Sequence, residues 1–267
     1  MKPIIRWAGS KRQLLPQLKE LVPHSYERYI EPFFGSGCLY FDLLPKIAVV
    51  SDINTQLIAV YQAVAKSPRD VACYLESIPH SQEAYYQLRS LDPTTLDECA
   101  KAARFIFLMK SCFNGVYRTN KAGSFNTPFS GNVYKLPVES ELLEMARAFE
   151  TCSIQNCDFS ISLNGANNGD FVYLDPPYPS AKFRGEYGYK QFTKADMSRL
   201  LFDVTRASTR GVKVMLSFCE SDWLDGQLNH WNTSVVSVRR TVSATLMNRK
   251  TVNELVLTNY QSSVSRI

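Results

Sequence analysis

Short apolar runs alternate with helical patterns towards both ends of the chain. The runs at 47–50 and 171–174 are continuously apolar, as in strands that are buried on both faces of a parallel sheet. Leucines at helical spacing over 10–21, with Ser10 as a candidate N-cap, and a similar pattern over 194–206 indicate amphipathic helices. Further strand candidates lie at 29–34, 212–217, 235–239 and 254–258. This alternation predicts an α/β fold built on an open, mostly parallel sheet.

A central segment, from about residue 57 to residue 137, breaks the alternation. Its first part carries helical patterns without a strand signal, and residues 113–132 form a polar, aromatic and glycine-rich stretch. Neither feature is typical of a parallel α/β sheet. We therefore expect an insertion with a task of its own.

Composition narrows the class of protein. The chain has 267 residues, of which 45% are hydrophobic and 21% are charged, as in ordinary soluble globular proteins. Arg6 interrupts the apolar start, and no apolar run approaches the roughly 20 residues of a membrane span. We expect a cytoplasmic protein without membrane contact. A net charge of +5 is compatible with a polyanionic partner but does not require one.

Seven cysteines and three histidines are scattered along the chain. The cysteines include no C-x-x-C pair, and no histidine stands at metal-ligand spacing from another histidine or from a cysteine. This usage predicts buried, reduced thiols and no bound metal.

A glycine turn follows the first strand candidate and carries Gly35 and Gly37. Asp52 lies at the end of the next strand, 17 positions after Gly35, and Asn54 is placed to cap the helix that follows. Glycines let a nucleotide-like ligand approach the backbone, and an acid at this place can accept hydrogen bonds from both ribose hydroxyls. The third glycine of the dinucleotide fingerprint is missing, which argues against NAD. On its own, the motif fits a structural turn equally well.

The tetrapeptide Asp175-Pro176-Pro177-Tyr178 directly follows the apolar run at 171–174, where ligands bind in open α/β sheets. A proline-rich turn would be the structural alternative. Each residue type nevertheless has a use in amine methylation. The carboxylate of Asp175 can accept one amino hydrogen, and the carbonyl of Pro176 can accept the other without a competing N–H. The ring of Tyr178 can stack on a base.

A third short motif lies near the N-terminus, where Trp7 and Lys11 flank Ala8 and Gly9. These small residues would let the backbone pass close to a ligand. A core tryptophan and a solvated lysine are the alternative interpretation.

Taken together, these stretches resemble Dam-type DNA adenine methyltransferases, in the motif order of that family. The matching stretches are residues 5–11, 31–37, 51–54, 113–118, 124–129, 175–178 and 253–260. The resemblance implies a Rossmann-like S-adenosylmethionine-dependent methyltransferase core at 1–56 and 138–267. It also implies an inserted, mainly helical target-recognition domain at 57–137, with a hairpin that reads DNA. Ser10 departs from the family, because a glycine is usual there.

The resemblance assigns roles to individual residues. The catalytic tetrapeptide is Asp175, Pro176, Pro177 and Tyr178. The cofactor site comprises Trp7, Lys11, Phe34, Gly35, Gly37, Asp52, Asp158, Phe159 and Asp175. The DNA-binding residues are Phe113, Asn114, Val116, Arg118, Asn126 and Pro128.

The implied reaction moves a methyl group from S-adenosylmethionine directly to the exocyclic amine of a flipped adenine in double-stranded DNA, within GATC. A monomer that associates with the nucleoid through DNA is expected. Three alternatives stay open from sequence. A non-catalytic nucleic-acid-binding module would not need the tetrapeptide, and a dinucleotide-dependent oxidoreductase would leave it unexplained. An amino methyltransferase acting on cytosine or RNA is the nearest alternative, against which Asp175 favours adenine in DNA.

Overall fold

Seven strands form one sheet in the computed structural model, which describes residues 1–177, 192–219, 228–239 and 251–261. The strands are β1 (Tyr29–Glu31), β2 (Ala48–Asp52), β3 (Cys152–Asn156), β4 (Phe171–Leu174), β5 (Lys213–Cys219), β6 (Asn232–Arg239) and β7 (Thr251–Thr258). Their order across the sheet is β3-β2-β1-β4-β5-β7-β6. The first five in this order are mutually parallel, whereas β7 runs antiparallel to both β5 and β6. The predicted mostly parallel α/β sheet is confirmed.

The strand order reverses between β1 and β4. Chain order proceeds outward from β1 through β2 to β3 on one side and from β4 to β5 on the other. Ile30 of β1 pairs with Val49 of β2 and with Val172 of β4, so the reversal lies at the centre of the sheet. In open α/β sheets, ligands bind beyond the carboxyl ends of the strands at such a switch point. The residues after Glu31 and Leu174 are therefore where a site is expected.

Helices cover both faces of the sheet. The α-helices of the described residues are α1 (Leu15–Leu21), α2 (Cys38–Leu43), α3 (Thr55–Lys66), α4 (Pro68–Ser77), α5 (Gln82–Ser90), α6 (Glu98–Ser111), α7 (Glu139–Ala148), α8 (Phe159–Asn164) and α9 (Lys194–Thr209). Alternate strand residues enter two hydrophobic clusters: Tyr29 and Tyr173 lie in one, and Ile30 and Leu174 in the other. A strand buried on both faces has to be apolar throughout, which explains the run at 171–174.

None of these helices in the described part of the chain is long and apolar enough to cross a membrane.

Two predicted helix caps have different outcomes. The side chain of Asn54 accepts a hydrogen bond from the backbone N–H of Leu57, 3.1 Å away, so this N-cap of α3 is confirmed. Ser10 as a side-chain cap is wrong. The chain after it forms a 3₁₀ turn before α1 begins, and the hydroxyl of Ser10 lies 2.8 Å from the thiol of Cys38 instead. The hydroxyl that the local pattern assigned to the helix N-terminus instead makes a tertiary contact with Cys38.

Four helices, α3 to α6, occupy most of the segment that was expected to be an insertion. After α6 the chain turns back on itself. Antiparallel bridges join Cys112 to Phe129 and Thr119 to Phe125. Residues 112–129 are called the hairpin below. Because α3 packs against β2 and β3 as well as against α6, the helical segment is continuous with the sheet. The division at residues 56 and 137 remains a prediction.

Six of the cysteines are free, as expected for reduced thiols: Cys38, Cys73, Cys99, Cys112, Cys152 and Cys157. Their predicted burial holds for Cys38 and Cys112, but it is wrong for Cys73, which is exposed on α4.

Asn54→Ala should destabilise the protein by about 1 kcal/mol, because the first turn of α3 loses its side-chain acceptor. For a chain of this size, that corresponds to a melting temperature lower by about 2–4 °C. Asn54→Asp is the matched control, since its carboxylate still accepts the hydrogen bond. This variant should have a melting temperature near that of the wild type. Equal melting temperatures for the two variants in thermal unfolding would show that the cap contributes nothing.

Candidate active site

A cleft opens at the carboxyl ends of β1 and β4, where the strand order reverses. Its cavity volume is about 190 Å³. The cleft is lined by residues from the N-terminal loop, the glycine turn, the ends of β2 and β4, and helices α8 and α9. Among them are Trp7, Lys11, Glu31, Phe33, Phe34, Gly35, Gly37, Asp52, Asn54, Asp158, Phe159, Asp175, Pro176, Pro177, Phe192 and Arg199.

The glycine turn after β1 forms one wall of the cleft. Gly35 and Gly37 have φ angles of +48° and +62°, in the left-handed region that side chains disfavour. A Cβ atom on Gly35 would lie 3.1 Å from the indole of Trp7, and one on Gly37 would lie 2.5 Å from the ring of Phe34. Both glycines are thus required by conformation and by packing. The turn can therefore bring bare backbone to a ligand.

Asp52 stands at the end of β2 with its carboxylate facing this turn. One oxygen accepts the N–H of Gly35 at 3.0 Å, and the other accepts the N–H of Asn54 at 2.9 Å. Burial raises the pKa of Asp52 to about 6, although these backbone hydrogen bonds act in the opposite direction. The N–H of Ile53 also interacts with the carboxylate, so at least one of its four lone pairs stays open to a ligand hydroxyl group.

Aromatic rings form a second wall of the cleft. Phe33 stacks on Phe159 with ring centroids 5.4 Å apart, and Phe192 meets Phe33 edge-on at 5.9 Å. Arg199 lies over the ring of Phe159 at 4.3 Å. Such a wall offers a flat apolar surface to a planar heterocycle.

Asp158, at the start of α8, is fully engaged by its neighbours. Its oxygens lie 2.6 and 3.0 Å from the two terminal nitrogens of Arg199, and one of them caps the N–H of Ser160. Burial raises the pKa of Asp158, but the hydrogen bond from Arg199 and the backbone outweigh it, and the pKa is lowered overall. The carboxylate therefore fixes α8 and Arg199 beside the aromatic wall.

Asp175 begins the segment after β4 and shares a lysine with a second carboxylate. The ammonium of Lys11 lies 3.1 Å from Oδ1 of Asp175 and 3.1 Å from Oε2 of Glu254 on β7. Burial raises the pKa of Asp175 to about 6, while Lys11 lowers it. Lys11 and Glu254 are nearly inaccessible to solvent, whereas Asp175 is 20% exposed and can meet a ligand.

Glu31, the last residue of β1, lies at the base of the cleft. It is buried, and its Oε2 accepts a hydrogen bond from the hydroxyl of Tyr29 at 2.8 Å. Burial raises the pKa of Glu31 well above its ordinary range. Glu31, Asp52 and Asp175 make the cleft a good environment for a ligand that carries positive charge.

The N-terminal loop joins this cleft to the hairpin. The N–H of Ala8 donates to the carbonyl of Gly115 at 2.9 Å, and the ring of Trp7 stacks on Tyr117 at 5.8 Å. The indole of Trp7 also lies beside Gly35, since a Cβ atom there would be 3.1 Å from it. A single tryptophan therefore lies beside both the glycine turn and the hairpin.

The six predicted DNA-binding residues all lie on the hairpin, outside the cleft, and none of them is buried. These residues are Phe113, Asn114, Val116, Arg118, Asn126 and Pro128. The Nε of Arg118 donates to the Oδ1 of Asn126 at 2.8 Å, and its Nη2 donates to the carbonyl of Asn126 at 3.0 Å. Asn114 has a φ angle of +54°, which asparagine tolerates better than most residues.

The structure thus brings every predicted cofactor residue into one cleft, together with Asp175, Pro176 and Pro177. Tyr178 lies outside the described residues. Glu31, Phe33, Phe192, Arg199 and Glu254 were not predicted as site residues. Glu31 and Phe33 lie in the matching stretch 31–37 and Glu254 lies in the stretch 253–260, whereas Phe192 and Arg199 carried no such signal. Within the described residues, no group of three or more Cys, His, Asp or Glu side chains could hold a metal ion.

Comparison with known proteins identifies relatives along almost the entire chain. The family model for D12 class N6 adenine-specific DNA methyltransferases matches residues 7–248. A Type II methyltransferase of Lactococcus lactis subsp. cremoris is 34% identical, with 97% of this chain and 96% of that protein covered. A Type II methyltransferase of Methanocaldococcus jannaschii is 32% identical, with 97% and 99% covered. A protein named DNA adenine methylase, from Salmonella typhi, is 30% identical, with 99% and 97% covered.

Gly37→Ala should lower the free energy of unfolding in two ways. The left-handed backbone costs about 1–2 kcal/mol with a Cβ atom, and overpacking against Phe34 costs about 1–3 kcal/mol more. Gly131→Ala is the matched control, because Gly131 also has a positive φ, of +89°, but a Cβ there would have no neighbour within 4 Å. In urea unfolding, the free energy of unfolding should be lower for Gly37→Ala than for Gly131→Ala. Equal losses would mean that packing around the turn is not tight.

Proposed function

The chain belongs to the D12 class of N6 adenine-specific DNA methyltransferases, which use S-adenosylmethionine as methyl donor, and from this premise we propose how it selects and holds its target. It methylates the adenine of GATC in double-stranded DNA, after the base has been flipped into the cleft between β1 and β4. The observation that carries the proposal is the carboxylate of Asp175, followed by the Pro176 carbonyl, at the switch point of the sheet.

The residues of the cleft fit S-adenosylmethionine. When bound, this cofactor supplies a methyl group that is activated by a positively charged sulfonium. Asp52 would accept the ribose hydroxyls, and the glycine turn would let the nucleoside approach the backbone. The ring of Phe159, with Phe33 and Phe192 around it, suits the adenine. Trp7, Phe34 and Lys11 complete the pocket, and Asp158 contributes by holding α8 and Arg199 in place.

Asp175 and Pro176 prepare the amine of the target base. Lys11 engages Oδ1 of Asp175, which leaves Oδ2 to accept one amino hydrogen. The Pro176 carbonyl accepts the other, and the nitrogen lone pair is then freed from conjugation with the ring. The nitrogen forms a bond to the methyl carbon as the carbon–sulfur bond breaks and its electron pair stays on sulfur, and one amino proton leaves to Oδ2 of Asp175, without a covalent enzyme intermediate. Alignment of reacting groups can supply roughly 7–11 kcal/mol of the barrier. Stacking of Tyr178 on the base is part of the same proposal.

The hairpin is the DNA-reading part of a target-recognition domain at 57–137, with the catalytic domain at 1–56 and 138–267. Its base is anchored from α5, where the Tyr85 hydroxyl and Nη1 of Arg89 donate to the carbonyl of Thr127, at 2.9 and 3.2 Å. Thr127 in turn donates to the carbonyl of Val116 at 2.7 Å. A rigid base of this kind can present Phe113, Asn114, Val116 and Pro128 to the duplex in a fixed geometry.

Arg118 is proposed to read a guanine, the first base of GATC. Asn126 uses the Nε–H and one N–H of Nη2, so three of the five guanidinium N–H groups carry no hydrogen bond within the described residues. Two of these are on Nη1 and one is on Nη2. The edge of the guanidinium group formed by Nη1 and Nη2 matches the paired acceptors O6 and N7 of guanine in the major groove.

Asp175→Ala should reduce methyl transfer by about a hundredfold or more, because the amine loses its positioned acceptor. The fold should survive, since Lys11 retains Glu254 as a partner. The assay uses labelled S-adenosylmethionine with a GATC duplex, a duplex lacking GATC and an RNA of the same sequence. We expect label only in the GATC duplex, as N6-methyladenine. Normal turnover by folded Asp175→Ala protein would contradict the mechanism, and equal labelling of the three nucleic acids would contradict the target.

Arg118→Ala should lose about 1–3 kcal/mol of discrimination at one base pair, so that methylation of one altered site approaches that of GATC. Lys121→Ala is the control, because an exposed lysine that meets only phosphate should weaken binding to all sequences alike. Methylation of GATC and its single-base variants is measured over a salt series. The opposing outcome is that Arg118→Ala behaves like Lys121→Ala: sequence specificity is unchanged, and the slope of log binding constant against log salt concentration falls in magnitude by about one. In that case Arg118 contacts only the DNA backbone.

A further inference from the structure

Glu254 is a buried carboxylate that lies in one of the stretches resembling the family, at 253–260, but has no part in the proposed mechanism. It lies on β7, opposite Cys219 of β5 and Val236 of β6 in the antiparallel part of the sheet. Its side chain is 8% exposed and its Oε2 is 3.1 Å from the ammonium of Lys11. No hydrogen bond reaches Oε2 from another group among the described residues. Lys11 is therefore the cation that compensates its charge.

The arrangement places one positive charge between two negative ones. Lys11 is equally far, 3.1 Å, from Asp175 and from Glu254. Without Glu254, Lys11 and Asp175 would form a neutral pair. The ammonium would then offset the negative charge of Asp175 and weaken it as a hydrogen-bond acceptor. With Glu254 present, the three groups keep a net negative charge, and Lys11 is held by a second carboxylate besides Asp175.

We propose that Glu254 is a positioning residue for methyl transfer, which holds Lys11 so that Asp175 presents an unshared, fully charged oxygen to the target amine. This inference rests on the proposed role of Asp175 as amine acceptor. The effect is transmitted through Lys11, since Glu254 lies 3.1 Å from the ammonium and is not among the described residues that line the cleft.

The charged and titratable groups around Asp175 come from several elements. Lys11 reaches it from the N-terminal loop, Glu254 from β7, Glu31 from β1 and Tyr173 from β4. The pKa of Asp175 is raised to about 6 by burial first, lowered by Lys11, and raised again by the charge of Glu254. Removing the charge of Glu254 should therefore lower the pKa of Asp175. In a plot of methylation rate against pH, the acid limb, where the rate falls because Asp175 is protonated, should therefore move to lower pH. The plateau, which is the rate at higher pH, should also be lower, because Asp175 is then a weaker hydrogen-bond acceptor.

The test compares Glu254→Gln with Glu254→Asp in the full-length enzyme. Glutamine keeps the size and an acceptor oxygen without the charge, whereas aspartate keeps the charge on a shorter side chain. Glu150→Gln, at an exposed position, controls for the change in net charge. The single-turnover methylation rate is measured against pH at saturating cofactor and DNA, together with cofactor affinity and the melting temperature.

For Glu254→Gln we expect a plateau rate lower by at least about tenfold, as for other groups that orient a functional side chain, with the acid limb at lower pH. Cofactor affinity should change less than the rate. Glu254→Asp should restore the wild-type position of the acid limb and most of the rate. A wild-type rate and acid limb in Glu254→Gln would overturn the inference. So would equal losses in both variants without a shifted acid limb, since that is the behaviour of a purely structural residue.

The Asp175→Ala enzyme separates this inference from the proposed function. If Asp175→Ala is inactive while Glu254→Gln is normal, only the role of Glu254 is wrong. If Asp175→Ala retains the full rate, the acceptor role fails and the inference about Glu254 fails with it.

Discussion

Lys11 joins three distant parts of the chain at the mouth of the cleft. A buried ammonium has to be paired, and its partners are Asp175 after β4 and Glu254 on β7. The N-terminal loop is thereby fixed across the carboxyl end of the sheet. Because the same loop carries Trp7 and Ala8, which contact Tyr117 and Gly115, the position of the hairpin depends on it as well. Asp175, the cleft and the hairpin are thus held by one set of contacts.

The cleft derives its chemistry from the ends of parallel strands. Glu31, Asp52 and Asp175 follow or end three neighbouring strands, β1, β2 and β4, so their carboxylates converge at one edge. Burial raises the pKa of each of them, and backbone N–H groups or Lys11 oppose the shift at Asp52 and Asp175. Such a site favours a cationic ligand. A sulfonium cofactor meets that requirement, and in the proposed mechanism the protein aligns an amine with it.

Much of the fold could be predicted from the sequence, because β4 is buried on both faces and its apolar run is therefore continuous. The edge strand β3 was missed, since Ser153, Gln155 and Asn156 face water in part and remove the apolar pattern. The motif residues of the cleft were found because they are local in sequence. Arg199 was not found, and Glu254 was given no role although it lies in the stretch 253–260, because their partners are brought to them only by the topology of the sheet.

The most direct test of this account is a crystal structure of the protein with S-adenosylhomocysteine and a GATC duplex. The account predicts an adenine turned out of the helix, with its exocyclic nitrogen about 2.7–3.2 Å from Oδ2 of Asp175 and from the carbonyl of Pro176. The cofactor ribose should lie on Asp52 in the same complex. An adenine that remains stacked in the duplex, or a cofactor bound away from the cleft between β1 and β4, would contradict it.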